Sequence, residues 1–115
     1  MRPLYLDLPT SMNYTPKAMT GTEHSALMRL LQVASGDTGQ SRRCADFLLA
    51  WWNADKCGGF DLTSLWELDD CICNDMQVVF GYIARAKHYP DTLGLGPEFE
   101  AVARMWRPEL LDSAG

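Results

Sequence analysis

SRRCADFLLAWWNA, residues 41–54, decides the fold class of this chain. At 100° per residue its apolar positions, Cys44, Ala45, Phe47, Leu48, Leu49, Trp51, Trp52 and Ala54, cover about 220° of a helical wheel. The polar remainder is narrow: Arg42, Asp46, Ala50 and Asn53. An arc that wide belongs to a helix covered on most sides, and Cys57-Gly58-Gly59 beyond it is a stop.

On the C-terminal side, Asp61 or Ser64 caps a short helical turn through Leu65, Trp66 and Leu68, with Ser64-x-x-Glu67 reading as a capping box. A longer helix over 69–88 has acids in its first turn and Arg85, Lys87 and His88 in its last, as the helix dipole favours. Its main stripe is Ile72, Met76, Val79, Phe80 and Ile83, and Cys71, Val78 and Tyr82 widen the apolar arc to roughly 220°. After Tyr89-Pro90 and the turn Gly94-Leu95-Gly96, Pro97 takes a first helical position. Phe99, Val102, Ala103 and Trp106 then recur at i, i+3, i+4, i+7 until Pro108 ends the helix.

On the N-terminal side, Thr20-x-x-Glu23 is a capping box opening a helix over 20–35 that stops at Ser35-Gly36. Its stripe, Leu27, Leu30, Leu31 and Ala34, spans only about 100°, which predicts a helix lying on a core with its other side wet. Leu4, Leu6 and Leu8 alternate between Pro3 and Pro9 with the period of a short edge strand, and Thr10–Thr20 has the composition of a flexible connector. The expectation is an all-α, compact single-domain helical bundle of four to five helices, with room for one short N-terminal edge strand. Residues 1–20 form the extension, 21–110 the helical domain and 111–115 a tail. Helices 41–54 and 69–88 are expected at the centre, those over 20–35 and 97–106 around them, and Trp51, Trp52 and Trp106 in the core.

Two blocks, GDTGQSRRCADFLLAWWNADKCGGFDLTSLWELD (36–69) and HYPDTLGLGPEFEAVARMWRPEL (88–110), carry a family resemblance through the WWN run, the GGFDLT turn and the HYPD and GPEFE stretches. With the intervening helix, the region from about Leu27 to Leu110 resembles an uncharacterised small-protein family, a domain of unknown function found on proteobacterial plasmids, integrative elements and phage-like islands. The resemblance brings no activity and no catalytic residue. What it implies is context: small acidic helical proteins of mobile elements are often accessory factors, and some inhibit host defence complexes such as CRISPR effectors.

Charge narrows the function classes. The chain has 15 acids against 10 Lys plus Arg, a net charge of -5, and a pI near 4.8, so direct nucleic-acid binding is disfavoured. Six of the acids (Asp55, Asp61, Glu67, Asp69, Asp70 and Asp75) lie between 55 and 75 against one base, Lys56. With Trp66 as an aromatic anchor, this stretch is the candidate docking surface for a basic protein; the plainer reading is that the acids cap helices and Trp66 is core. The N-terminus has neither a secretory pattern nor a membrane span, so a cytoplasmic location, with reduced cysteines, is expected.

Motifs of catalysis are weak. Cys71-x-Cys73 on a helix points two thiols about 200° apart, unable to chelate one ion or to bridge. A zinc site would need Cys57, one of Cys71 or Cys73, and Cys44 or His88, at spacings unlike the paired C-x2-C patterns, so buried thiols are the preferred reading and no cofactor or metal is expected. His24 and His88 lack a partner at a catalytic spacing, and His88 is explained by a helix C-terminus. Arg42 and Arg43 at a helix N-terminus suit an anion, unless Asp37, Thr38 and Ser41 cap the helix and the arginines are solvated or pair with Asp46. The function expected is therefore non-enzymatic, the binding of a basic protein partner through an acidic surface; the resemblance implies an accessory factor of a mobile element, in its sharpest form an anti-CRISPR-like inhibitor of a host defence or nucleic-acid-handling complex. The alternatives are a small-ligand or anion-binding domain or enzyme using Arg42, Arg43 and a pocket between the two central helices, and a homo-oligomer, such as a homodimer, closing its leftover apolar arcs across a symmetry axis.

Overall fold

Thr20 starts the first helix, α1 (Gly21–Ala34), by the expected reciprocal cap: its hydroxyl accepts the Glu23 N–H at 3.1 Å, and the Glu23 carboxylate accepts the Thr20 N–H at 2.9 Å. The computed structural model describes residues 18–112. The strand reading at Leu4–Leu8 and nearly all of the connector lie outside the described residues. α1 ends at Ser35, and the next turn is tight: a Cβ on Gly36 would stand 2.6 Å from the Ser41 hydroxyl.

α2 (Gly39–Cys57) begins two residues earlier than the apolar run suggests, because Thr38 supplies the cap, accepting the Ser41 N–H at 3.0 Å. It also runs past Ala54. Asn53 leaves helical geometry (φ -164°, ψ 77°), and its side-chain carbonyl accepts the Lys56 N–H at 3.2 Å, recapping a last turn that closes at Gly58. Gly58, at φ 95°, occupies a left-handed conformation that glycine adopts without Cβ penalty.

Asp61 caps the 3-10 turn Leu62–Glu67 through Thr63, as one of the two readings had it. The expected Ser64–Glu67 capping box gives way because Glu67 bonds Arg43 instead. α3 (Asp70–Ala86) ends two residues short of the expected 88, turned out of the helix by Lys87 at φ 60°. A second 3-10 turn, Pro90–Leu93, precedes α4 (Gly96–Trp106), which has Pro97 in its first turn. Pro108 ends α4 and opens the short α5 (Pro108–Asp112). The fold is all-α among the described residues, with no strand.

The centre of the bundle is where the expectation fails. α1, assigned to the periphery, packs on both α2 and α3, whereas α2 and α3 barely meet. Counting Ala26, the buried face of α1 widens to about 140°, enough to serve two neighbours. One flank meets α2, where the Cys44 thiol donates to the Leu30 carbonyl at 3.1 Å. The other meets α3 through two arginine forks: Arg85 on Glu23 at 2.7 and 2.8 Å, and Arg29 on Asp75 at 2.9 and 2.9 Å. α4 closes the far side of α2. Phe99 stacks edge-on against Trp51 with centroids 5.7 Å apart, and the Trp106 indole donates to the Ala34 carbonyl at 2.7 Å. Arg107 fastens α2 by donating to the Cys57 carbonyl at 3.0 Å and to Asp46 at 2.7 Å.

Candidate functional site: an apolar groove beside an acidic, aromatic depression

Because α1 wedges α2 and α3 apart on one side, their wide apolar arcs are left facing a cleft on the other. The cleft holds about 580 Å³ and is lined from α2 by Phe47, Ala50 and Trp51, from the intervening loop and turn by Phe60, Leu62 and Leu65, and from α3 by Met76, Gln77, Phe80 and Ile83. Gln77 is the one polar side chain among them. The floor is fixed: Phe47 and Phe60 pack edge to face at 5.3 Å, and the Trp51 indole donates to the His88 carbonyl at 3.1 Å while its ring meets Tyr82 edge-on. The rim is open, with Leu62 69% and Phe80 63% exposed. Phe80 thus corrects the reading of the α3 stripe as a buried whole. On the wheel it lies on the Met76 and Ile83 side, more than 90° or so from the Val79–Tyr82–Ala86 face that α1 covers. Trp51, Trp52 and Trp106, expected in the core, are all only half-buried and pack against it.

A second depression of about 820 Å³ adjoins the groove and shares Ala50 and Trp51 with it; Trp52, Asn53 and Asp55 line it from α2, and Tyr89, Asp91 and Thr92 from the opposite loop. The two walls are joined by the Trp52 indole, which donates to Asp91 at 3.0 Å. His88 braces the loop. The Thr92 hydroxyl donates to the Tyr89 carbonyl at 2.8 Å, so it accepts at 2.6 Å from Nδ1–H of His88, which leaves Nε2 to accept from the Tyr82 hydroxyl at 2.9 Å. The helix-dipole account of His88 is therefore replaced, since α3 ends at Ala86 and the ring serves as a bridge between Tyr82 and Thr92.

The acids grouped by sequence separate in space by what they bond. Asp75 is 7% exposed and held on two points by Arg29, so it belongs to the α1–α3 contact rather than to a free surface. Glu67 accepts from Arg43 at 2.6 Å. Asp69 exchanges hydrogen bonds with the Gln40 amide at 2.7 and 3.2 Å. Asp61 serves Thr63 at 2.8 and 2.9 Å, hydrogen bonds that hold its carboxyl below the usual carboxylate range. Asp55 and Asp70 are exposed, and no cation among the described residues stands within ion-pair distance of Asp55, Asp70 or Asp91. Trp66 is 83% exposed on the 3-10 turn that also carries Leu62. The Arg42 and Arg43 pair is likewise divided: Arg42 is exposed, whereas Arg43 is committed to Glu67. Asp46, offered as their partner, binds Arg107.

All four cysteines are thiols. Cys44 is buried, and desolvation pushes its thiol up to about 12, where it is inert at neutral pH. Cys71 is exposed while Cys73 turns inward to donate to the Leu65 carbonyl at 3.2 Å, the divergence that i, i+2 helical spacing requires. Among the described residues no three His, Cys, Asp or Glu side chains converge in a way that could hold a metal ion, and no helix is long and apolar enough to cross a membrane.

A family model described as a family of unknown function, DUF7673, matches residues 24–107. The chain belongs to that family. No curated protein and no solved structure matches it. The DUF7673 span runs from the first turn of α1 to Arg107, so it contains the groove and the adjoining depression entire and all of the wedge but its first three residues. Sequence reasoning names the acids and Trp66 as the docking site; the surplus apolar arcs of α2 and α3 enter it only as a ligand pocket between the helices or as a homo-oligomer seam, not as a groove for a partner helix.

Proposed function

We propose that this DUF7673 chain is a non-enzymatic docking protein whose α2–α3 groove receives an amphipathic, basic helix of a protein partner. The observation that carries this reading is the pairing of an open apolar cleft, rimmed by Leu62 and Phe80, with nearby carboxylates that meet no cation among the described residues, Asp55 and Asp91 foremost. A contiguous apolar surface of this kind is a hallmark of binding grooves, and helix-in-groove recognition uses anchors at i, i+3, i+4 and i+7. The negative border selects a cationic partner and steers its approach. The acidic surface expected from sequence is thereby narrowed: Asp75 and Glu67 are engaged internally, and Asp55, Asp61, Asp69 and Asp70 remain as outward charge.

The sharper form of the proposal is an accessory factor of a mobile genetic element that inhibits a host defence or nucleic-acid-handling complex by occupying a basic helix of that complex. Its support is the family resemblance together with the acidic surface. A helical peptide library displayed on phage and selected against the immobilised protein tests the docking reading. Enriched peptides should carry a single apolar stripe and net positive charge, and Phe80→Ser should abolish their capture. Enrichment of acidic peptides, or capture that survives Phe80→Ser, would refute it. The sharper form is tested by adding the purified protein to a reconstituted host defence nuclease; undiminished cleavage at saturating protein removes that target. Sedimentation distinguishes a second copy in the groove, which would appear as a dimer dissociated by the same Phe80→Ser change.

A further inference from the structure

The depression next to the groove has a composition that the groove lacks. Its walls are aromatic, with Trp52 on one side and Tyr89, 64% exposed, on the other, and its charge is the pair Asp55 and Asp91. Neither carboxylate meets a cation among the described residues. An apolar ligand would leave both charges uncompensated, and an anion would be repelled by them. A guanidinium or ammonium satisfies the whole set: it bonds carboxylate oxygens and is attracted to the electron-rich faces of indole and phenol rings.

The site is also built before any ligand arrives. The Trp52 indole is held by Asp91, the Asp91–Thr92 loop is held by His88, and His88 is held by buried Tyr82. For Trp52 and Asp91, little ordering is left to oppose binding. The break at Asn53 turns the last stretch of α2, which carries Asp55, out of the line of the preceding helix.

We propose that this depression is a cation pocket, and that it receives one arginine or lysine side chain of the helix docked in the adjoining groove. The assignment rests on the groove reading and deepens it. Since the two hollows share Ala50 and Trp51, the cationic residue lies about one turn beyond whichever end of the partner helix's apolar stripe faces the depression. Arginine is favoured over lysine because its planar head can stack on a ring while bonding a carboxylate at its edge.

The test uses two synthetic amphipathic helices that are identical except at the two residues one turn beyond either end of the leucine stripe, arginine in one helix and uncharged citrulline in the other. Binding to the full chain is measured by fluorescence anisotropy, and the Trp52 indole N–H resonance is followed by NMR. The arginine peptide should bind about three- to fivefold more tightly, as an exposed cation–π contact would give, and should alone shift the Trp52 resonance. Asp55→Asn and Tyr89→Leu, both at exposed positions, should bring the ratio of the two dissociation constants to about one. A ratio of one in the wild type, or a preference that persists in both variants, overturns the cation pocket and leaves the groove reading standing. Failure of both peptides to bind the wild type removes the groove reading and the pocket together.

Discussion

Glu23 does two things at once, closing the cap of α1 and receiving both prongs of Arg85 from α3. Replacing it with glutamine separates them, because a glutamine at this position still completes a capping box whereas the ion pair loses its negative partner. The hydrogen bonds from Arg85, opposed by burial and aided by the Thr20 N–H, lower the Glu23 carboxyl from 4.5 to about 2. Unscreened, a displacement of that size is about 3 kcal/mol at neutral pH. The Arg85 side chain is 28% exposed, and solvent screening reduces the contribution to about 1–2 kcal/mol. The sign follows from a depressed carboxyl: the stabilisation is complete above the unfolded value of 4.5 and is lost as pH falls toward 2. Urea denaturation at pH 7 should therefore place Glu23→Gln about 1–2 kcal/mol below wild type, a drop of about 4–10 °C in Tm. At pH 2.5 the two curves should nearly coincide. A gap that is as large at pH 2.5 as at pH 7 would show that glutamine disturbs packing and that the Arg85 fork carries no free energy of its own.

Three further outcomes follow from the same geometry. Phe80→Ser should change stability by no more than about 0.5 kcal/mol in either direction, whereas Leu48→Ala, at a fully buried position, should cost about 3 kcal/mol; both are read from urea midpoints. Lys87→Gly should raise stability by about 1 kcal/mol, since Lys87 holds φ 60°, where a Cβ is penalised. Gly36→Ala should destabilise by about 1–2 kcal/mol through its contact with the Ser41 hydroxyl, and Ser41→Ala in the same chain should recover part of that loss in a double-mutant cycle.

What could be read from the sequence was whatever a few neighbouring residues decide. Thr20 and Glu23 sit three apart and cap each other, Gly58 stops α2, and Pro97 and Pro108 bracket α4, so helix existence and most boundaries were legible. Which helix lies in the middle was not. Arc width measures how much apolar surface a helix offers, but not which neighbour takes it, and α1 won the central place through contacts 46 and 62 residues distant, Arg29 with Asp75 and Glu23 with Arg85. The same gap explains the site. Asp75 and Asp55 are alike in a charge count, yet one is locked under Arg29 and the other stands open beside Trp52. Asp91 and Tyr89 joined the candidate site only when the indoles of Trp51 and Trp52 drew the 88–92 loop against α2.

The wedge formed by α1 divides labour within one small domain. Leu27, Leu30 and Ala34 hold α2 and α3 from behind, so side chains at the mouth of the cleft, such as Leu62 and Phe80, owe almost nothing to keeping the chain folded. Those rim residues can therefore be exchanged with the scaffold left intact, so the chemistry at the cleft mouth is free to vary independently of foldability.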